Sequence, residues 1–198
     1  QVITGFRRAG LRWGQKVVIQ GAGGLGLNAT AVAKEMGADQ VVVLDKRPER
    51  LALATQFGAD DTVYVDDFAD SADRVRHVVG LLNGGADVGM EVVGSTQVIP
   101  EGLSMLAKGG TYVVIGSIKT GEVIAFESLA LLAHSRHIFG MFGHDPESVA
   151  LAVSFLKRTK GRYPFDKIVS HKFRLDEIDM AFEKSAQGEV TRAAIVFD

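Results

Sequence analysis

Four glycines stand within six residues, Gly21, Gly23, Gly24 and Gly26, in the stretch VVIQGAGGLGLNA that spans positions 17 to 29. Ordered glycine costs conformational entropy, so such a cluster needs a reason. Gly21, Gly23 and Gly26 fall in the spacing G-x-G-x-x-G, with an apolar run before them and helix formers after. In that context Gly21 suits a tight turn, Gly23 lets a backbone approach a ligand, and Gly26 lets a helix pack on a strand. The start of that helix would present unpaired N–H groups and a partial positive charge to a pyrophosphate. Asp45 closes the next apolar run, VVVLD, about twenty residues after the last glycine, where a dinucleotide fingerprint needs an acid for the ribose. Two alternatives stand beside this: a glycine-rich turn with no ligand, and a methyltransferase loop, which has a looser glycine pattern.

These residues need a scaffold to hold them. Short β-branched runs alternate with longer segments of helical period, which is the pattern of an α/β fold with a doubly wound parallel sheet. Strands are expected at 17–20, 40–45, 62–65, 88–93, 111–116 and 137–140. Helices are expected at 24–36, 48–57, 72–82, 96–106 and 126–133. Runs that are apolar nearly throughout, such as Val41-Val42-Val43-Leu44, fit strands covered on both faces. Gly-Ala-Asp recurs at Gly37, Gly58 and Gly85, each time before a strand, as one junction reused. From 146 to 198 the pattern changes to a C-terminal extension: a helix over 146–158 opened by Asp145 and Pro146, a strand at 168–173, a helix at 176–185 and a strand at 193–197.

The bulk composition narrows the possibilities. The 198 residues carry a formal charge of -2, which offers no basic field for nucleic acid and no polybasic run for an anionic membrane. No apolar stretch has the length of a bilayer span. The sequence has no cysteine, so it holds neither a disulfide nor a thiolate metal ligand, and a cytoplasmic setting is expected. His134 and His137 stand three apart, with His144-Asp145 beyond, but no third ligand is spaced to close a metal site. The chain opens at Gln1, and its early apolar residues Val2, Ile3 and Phe6 read as a helix that joins a preceding domain.

The segments GFRRAGLRWGQKVVIQGAGGLGL, VVLDKRPERLALATQFGAD, GADVGMEVVGS, GGTYVVIGS and GEVTRAAIVF together give the chain its resemblance. It resembles the cofactor-binding domain of the medium-chain dehydrogenase/reductase family, on the branch of zinc-containing alcohol, polyol and threonine dehydrogenases. The resemblance implies a Rossmann fold, a linking helix at 1–14, and an N-terminal catalytic domain that lies outside these residues and carries the zinc. It implies NAD as cofactor, with a small alcohol or ketone as substrate of the intact enzyme and no turnover by this chain alone.

It also implies roles for single residues. Leu25 would pack behind the nicotinamide, and Asp45 would accept both adenosine ribose hydroxyls with Arg50 nearby. Val92 and Val93 would line the nicotinamide and adenine sides, Ile115 and Ser117 would border the nicotinamide, and the backbone around Met141 would bond its carboxamide. Arg192 would reach the pyrophosphate. The basic neighbours Lys46, Arg47 and Arg50 are expected to swing into solvent. Residues 111–126 read as strand, turn at 119–121 and second strand, the region through which the family pairs two cofactor domains, so a homodimer is expected. A zinc-free quinone or enoyl reductase is an alternative, though it replaces the acid at Asp45. A nucleotide-sensing domain without chemistry is another.

Overall fold

The computed structural model describes residues 1–116 and 120–197. Its elements follow in chain order: α1 (Val2–Ala9), β1 (Lys16–Gln20), α2 (Gly24–Glu35), β2 (Gln40–Asp45), α3 (Pro48–Gln56), β3 (Asp61–Tyr64), α4 (Ser71–Leu81), β4 (Ala86–Glu91), α5 (Ile99–Ser104), β5 (Leu106–Val114), α6 (Leu129–Leu132), β6 (His137–Gly140), α7 (Pro146–Arg158), β7 (His171–Arg174), α8 (Ile178–Ala186) and β8 (Ala193–Val196). Six strands form one parallel sheet in the order β3-β2-β1-β4-β5-β6. This is the doubly wound α/β fold that the alternating pattern predicts.

The central strands β1 and β2 are apolar over nearly their whole length because the sheet is covered on both sides there. Val17, Ile19, Val41 and Val43 join one core layer, with Phe6 of α1, Leu27 of α2, Leu51 of α3 and Phe155 of α7. Val18, Val42 and Leu44 point the other way, against Val78 of α4 and Ile99 and Leu103 of α5. The period of two sends neighbours to opposite layers, and β-branched side chains suit such a pleated surface. On the second side Arg74 and Glu101 form a two-pronged ion pair, with Nε to Oε1 at 2.6 Å and Nη2 to Oε2 at 2.7 Å, that ties α4 to α5.

Chain direction across the sheet reverses between β1 and β4. After β1 the chain moves out to β2 and β3, then crosses back to lay β4 on the other side. Loops leaving the carboxyl ends of β1 and β4 therefore lead to helices on opposite faces of the sheet, and the crevice of an open α/β sheet lies at that point. In open α/β sheets that switch point is where ligands bind.

Several boundaries differ from the sequence expectation. The helix expected over 1–14 stops at Ala9, because Gly10 takes a left-handed cap at φ +72°. The helix expected at 96–106 opens as a 3₁₀ turn, Thr96–Val98, and β5 already begins at Leu106. The helix expected from 126 starts at Leu129. The strand expected from 168 starts at His171, after a 3₁₀ turn over Phe165–Ile168. The second strand expected before 126 does not form within the chain: residues 122–127 join no ladder. Part of the turn expected at 119–121 lies outside the described residues, as does Ser117. Residues 171–196 make a separate small unit, in which β7 and β8 pair in parallel and α8 packs on them. Among the described residues no helix is long and apolar enough to cross a membrane.

Candidate dinucleotide site

The glycine turn sits at the switch point. Gly21 has φ +105°, a conformation closed to most side chains. Its N–H donates to the Leu44 carbonyl at 2.8 Å. A Cβ on Gly21 would stand 3.1 Å from Val93 Cγ2 and 3.2 Å from the Val92 carbonyl. A Cβ on Gly26 would collide with the Gly21 carbonyl oxygen, so α2 reaches its place only with glycine there. Gly23 differs: a Cβ there would meet nothing within 4 Å. It is the N-cap of α2 and supplies no side-chain cap, so the first amides of the helix have no partner from a capping side chain. Two of the three motif glycines thus serve close packing, and the third borders open space.

Asp45 closes β2 beside this turn. Its Oδ2 accepts the Ala22 N–H at 2.6 Å and its Oδ1 accepts the Arg47 N–H at 2.9 Å. One carboxylate therefore fixes the glycine turn to the strand next door. Each oxygen keeps further lone-pair capacity, since an ionised carboxylate offers about four acceptor sites in all.

On the far side of the crevice a second carboxylate acts the same way. Glu91 ends β4 fully buried. Its Oε1 accepts N–H bonds from Val93 at 2.7 Å and Gly94 at 2.6 Å, and its Oε2 accepts one from Gly116 at 3.0 Å. Such charge-assisted bonds hold the turn after β4 against the end of β5. Below it, Tyr112 donates its hydroxyl to Gln20 Oε1. Burial, reinforced by the charges of Glu91 and Glu101, pushes that phenol well above its ordinary range.

The apolar residues divide by burial. Val93 is 51% exposed and presents its side chain at the crevice rim, while Leu25 and Val92 are half-buried against the main core. Ile115 and Met141 are buried within that core. The Met141 N–H is taken by the Val114 carbonyl at 2.9 Å, so a carboxamide bonded here would use other backbone groups of this segment.

Arg192 comes from the remote end of the chain. Its Nη2 lies 3.0 Å, and its Nε 3.3 Å, from where a Cβ on Gly24 would be. A guanidinium thus stands over the first turn of α2, and among the described residues it has no carboxylate partner. The structure brings Gly21, Gly23, Gly24, Gly26, Asp45, Val93 and Arg192 around one crevice.

Two arginines behave unlike the expectation that they swing into solvent. Arg50 Nη2 donates to the carbonyls of Gly188 at 2.7 Å and Val190 at 3.0 Å, and Arg47 Nη2 donates to the Gln187 carbonyl at 2.7 Å. Both are drawn to the end of α8, where free carbonyls and the negative end of the helix dipole favour a cation. Sequence spacing held no sign of this, because the partners lie about 140 residues away, and that distance is bridged only by the fold. Among the described residues no group of three or more His, Asp or Glu gathers to hold a metal ion. These residues do not fit a zinc site.

Fold and site together define a doubly wound α/β domain shaped to hold a dinucleotide. The zinc-binding dehydrogenase family model matches residues 24–158, more than half of the sequence, and the chain belongs to that family. It is 34% identical over 189 residues to the sorbitol dehydrogenase of Rattus norvegicus, covering 94% of this chain and 50% of that protein. Among solved structures it resembles an alcohol dehydrogenase from Thermotoga maritima, with a TM-score of 0.88 and 28% identity over 97% of this chain and 53% of the other. A Sinorhizobium meliloti protein whose crystal structure holds bound NADP matches with a TM-score of 0.81 and 26% identity, over 91% and 52% of the two chains. The chain spans about half the length of the curated relatives it matches.

Proposed function

We propose that this chain is the NAD-binding half of a zinc-dependent dehydrogenase that oxidises secondary alcohols or polyols. The observation that carries the reading is the crevice itself: an uncapped helix start under Arg192, with the Asp45 carboxylate beside it. Gly23, Gly24 and Arg192 would hold the pyrophosphate, Asp45 the adenosine ribose, Leu25, Ile115 and Ser117 the nicotinamide side, and Val92 and Val93 the nicotinamide and adenine sides. Bound there, a nicotinamide dinucleotide supplies a hydride acceptor. The chain's part is to bind and orient it, with Glu91 keeping the loops after β4 and β5 in place. Activation of the alcohol falls to residues beyond these 198, and zinc belongs there as well. A cytoplasmic setting is part of the same reading, supported by the lack of cysteines.

Asp45 supports NAD over NADP. A 2′-phosphate would meet a carboxylate already fixed in place by the Ala22 and Arg47 amides. The commitment of Arg47 and Arg50 to the 187–190 carbonyls leaves less positive charge free to compensate it. The second reading is NADP, which the exposed Lys46 and the NADP-bound relative favour. Titration with NADH and NADPH separates the two. We expect NADH to bind tighter by about 2–4 kcal/mol, the scale of a buried charge left badly paired, and Asp45→Ser to narrow the gap. Equal affinities in the parent chain would overturn the assignment.

The same reading pairs two copies through the region 111–126. Its first part, Thr111–Val114 in β5, is flanked by β4 and β6, so the pairing would fall on the residues after β5 and on β6. It is supported by β6, which among the described residues has a strand on one side only, and by the exposed Val123 and Phe126. A sheet edge of this kind is a template for another chain. Light scattering of a concentrated solution should report twice the mass of one chain, and single chains at every concentration would remove this part.

A further inference from the structure

Gln20 ends the apolar run VVIQ just before the glycine turn, and it is only 4% exposed. A buried amide needs partners for its oxygen and its nitrogen alike. Its Nε2 donates to the Val98 carbonyl at 3.1 Å, in the 3₁₀ turn that enters α5. Its Oε1 accepts the hydroxyl of Tyr112. The backbone of the same residue is engaged as well: the Gln20 carbonyl accepts the Val92 N–H at 3.0 Å. One residue therefore grips both ends of the 92–98 loop, which runs from β4 to α5.

Tyr112 reaches Gln20 through a slot made by two glycines. It starts on β5 and crosses β4 at Gly89, where a Cβ would stand 2.6 Å from its ring. From α5 comes Gly102, whose Cβ would fall on both the Tyr112 hydroxyl and Gln20 Oε1. With those two positions bare, the phenol lies fully buried. The Val98 carbonyl can only accept, so Nε2 must face it, and Oε1 is left for the donating hydroxyl of Tyr112. The tyrosine thereby locks the direction of the amide. A pair of apolar side chains of the same shape would fill this layer at little or no cost. What the amide adds is a fixed place for the loop.

We propose that Gln20 is a positioning residue for the cofactor crevice: through its carbonyl and its Tyr112-locked amide it sets the 92–98 loop, and with it Val92 and Val93, against the glycine turn. The fit is close, since a Cβ on Gly21 would meet both valines. Gln20 acts through the loop and not by contact with the dinucleotide. The proposal rests on the reading that a dinucleotide occupies this crevice.

The test uses the 198-residue chain with Gln20→Met, Tyr112→Phe and the double variant. NADH affinity, the urea midpoint and hydrogen exchange of the 92–98 amides are measured. Gln20→Met keeps the length of the side chain and drops both amide bonds. It should weaken NADH binding about fivefold, the scale of one hydrogen bond, and raise exchange at 92–98. It should also lower the midpoint, because the Tyr112 hydroxyl is left buried without its acceptor. In the double variant both polar partners are gone, so the midpoint should recover part of that loss. NADH affinity should stay as low as in Gln20→Met, because nothing then holds Val98. Tyr112→Phe keeps the bond to Val98 and should weaken NADH binding less than Gln20→Met does. Affinity that recovers along with the midpoint would reduce Gln20 to packing and overturn the proposal. Parental affinity or parental exchange in Gln20→Met would do the same. If Gln20→Met does not fold, the double variant carries both comparisons with the parent. If the parent chain binds no NADH, the cofactor reading fails by itself. Exchange at 92–98 then decides whether the grip exists: a rise in the variants supports it and no change removes it.

Discussion

Around β1 the sheet buries Val17, Val18, Ile19, Val41, Val42 and Val43 completely, on two sides, under helices from both halves of the chain. In the 171–196 unit Phe173, Ala181 and Val190 are the buried apolar residues, while Leu175, Met180 and Phe182 remain exposed. Yet both regions face the same crevice. The sheet supplies the glycine turn and Asp45, held by backbone geometry and by strands that cannot shift register without exposing a core face. The small unit supplies Arg192 on a backbone with a small apolar core and several polar contacts to the rest of the chain. The difference teaches that the floor of the site is preset by burial, whereas its roof is tethered.

The largest effect tests the rigid side. Gly26→Ala places a methyl group against the Gly21 carbonyl, and neither that carbonyl nor the backbone that carries the methyl is a flexible side-chain end that could move aside. Overpacking of this kind should cost about 3 kcal/mol, read as a lowered urea midpoint, together with loss of NADH binding. A variant with parental stability would mean that the turn is far softer than the comparison holds.

A smaller effect tests the hinge between the two regions. Tyr163 lies on the segment after α7, stacks near Phe57 and donates to Glu35 Oε1 at 3.0 Å. Burial, then the bond to Glu35 and its charge, pushes the phenol up to about 12 from its ordinary value of 10.0. The raised value means that the folded state favours the neutral phenol. The resulting stability is full below pH 10 and is lost as pH climbs toward 12. Denaturation followed across that window should show an alkaline decline that Tyr163→Phe makes shallower. An identical slope in both would detach Tyr163 from the junction. Glu35 works in the opposite direction: burial raises its pKa, but the bonds from Arg162 and Tyr163 and the charges of Arg162 and Arg158 outweigh it and lower the value. Its contribution is lost toward acid.

The smallest effect is expected on the tethered side. Phe182 is 69% exposed on α8, so Phe182→Ala should change the stability of this chain by no more than about 0.5 kcal/mol. A thermal melt displaced by many degrees would show that the 171–196 unit carries a larger core than its buried residues indicate.

Most of the sheet was legible in the sequence. Val41-Val42-Val43-Leu44 could be read as a strand covered on both faces because periodicity and β-branching are local, and β2 takes the predicted bounds of Gln40–Asp45. The glycine spacing was equally legible, since the tight turn at Gly21 and the close approach of Gly26 to it are satisfied within a few residues. The expected strand before residue 126 failed for the opposite reason. Its apolar residues look like a strand, but a strand exists only where a neighbour supplies the ladder, and among the described residues none does.

The sequence by itself determined the strand-turn-helix that makes the crevice floor, the acid at its edge and the class of fold, because each rests on short-range sterics and on hydrophobic patterning. The tertiary structure alone decided what Arg47 and Arg50 hold. Both are long, flexible cations whose partners are backbone carbonyls, and backbone carbonyls carry no sequence signature. Only the folding of 187–192 back across α3 and α2 brings the freed carbonyls at the end of α8 to Arg47 and Arg50, and sets Arg192 over the open start of α2.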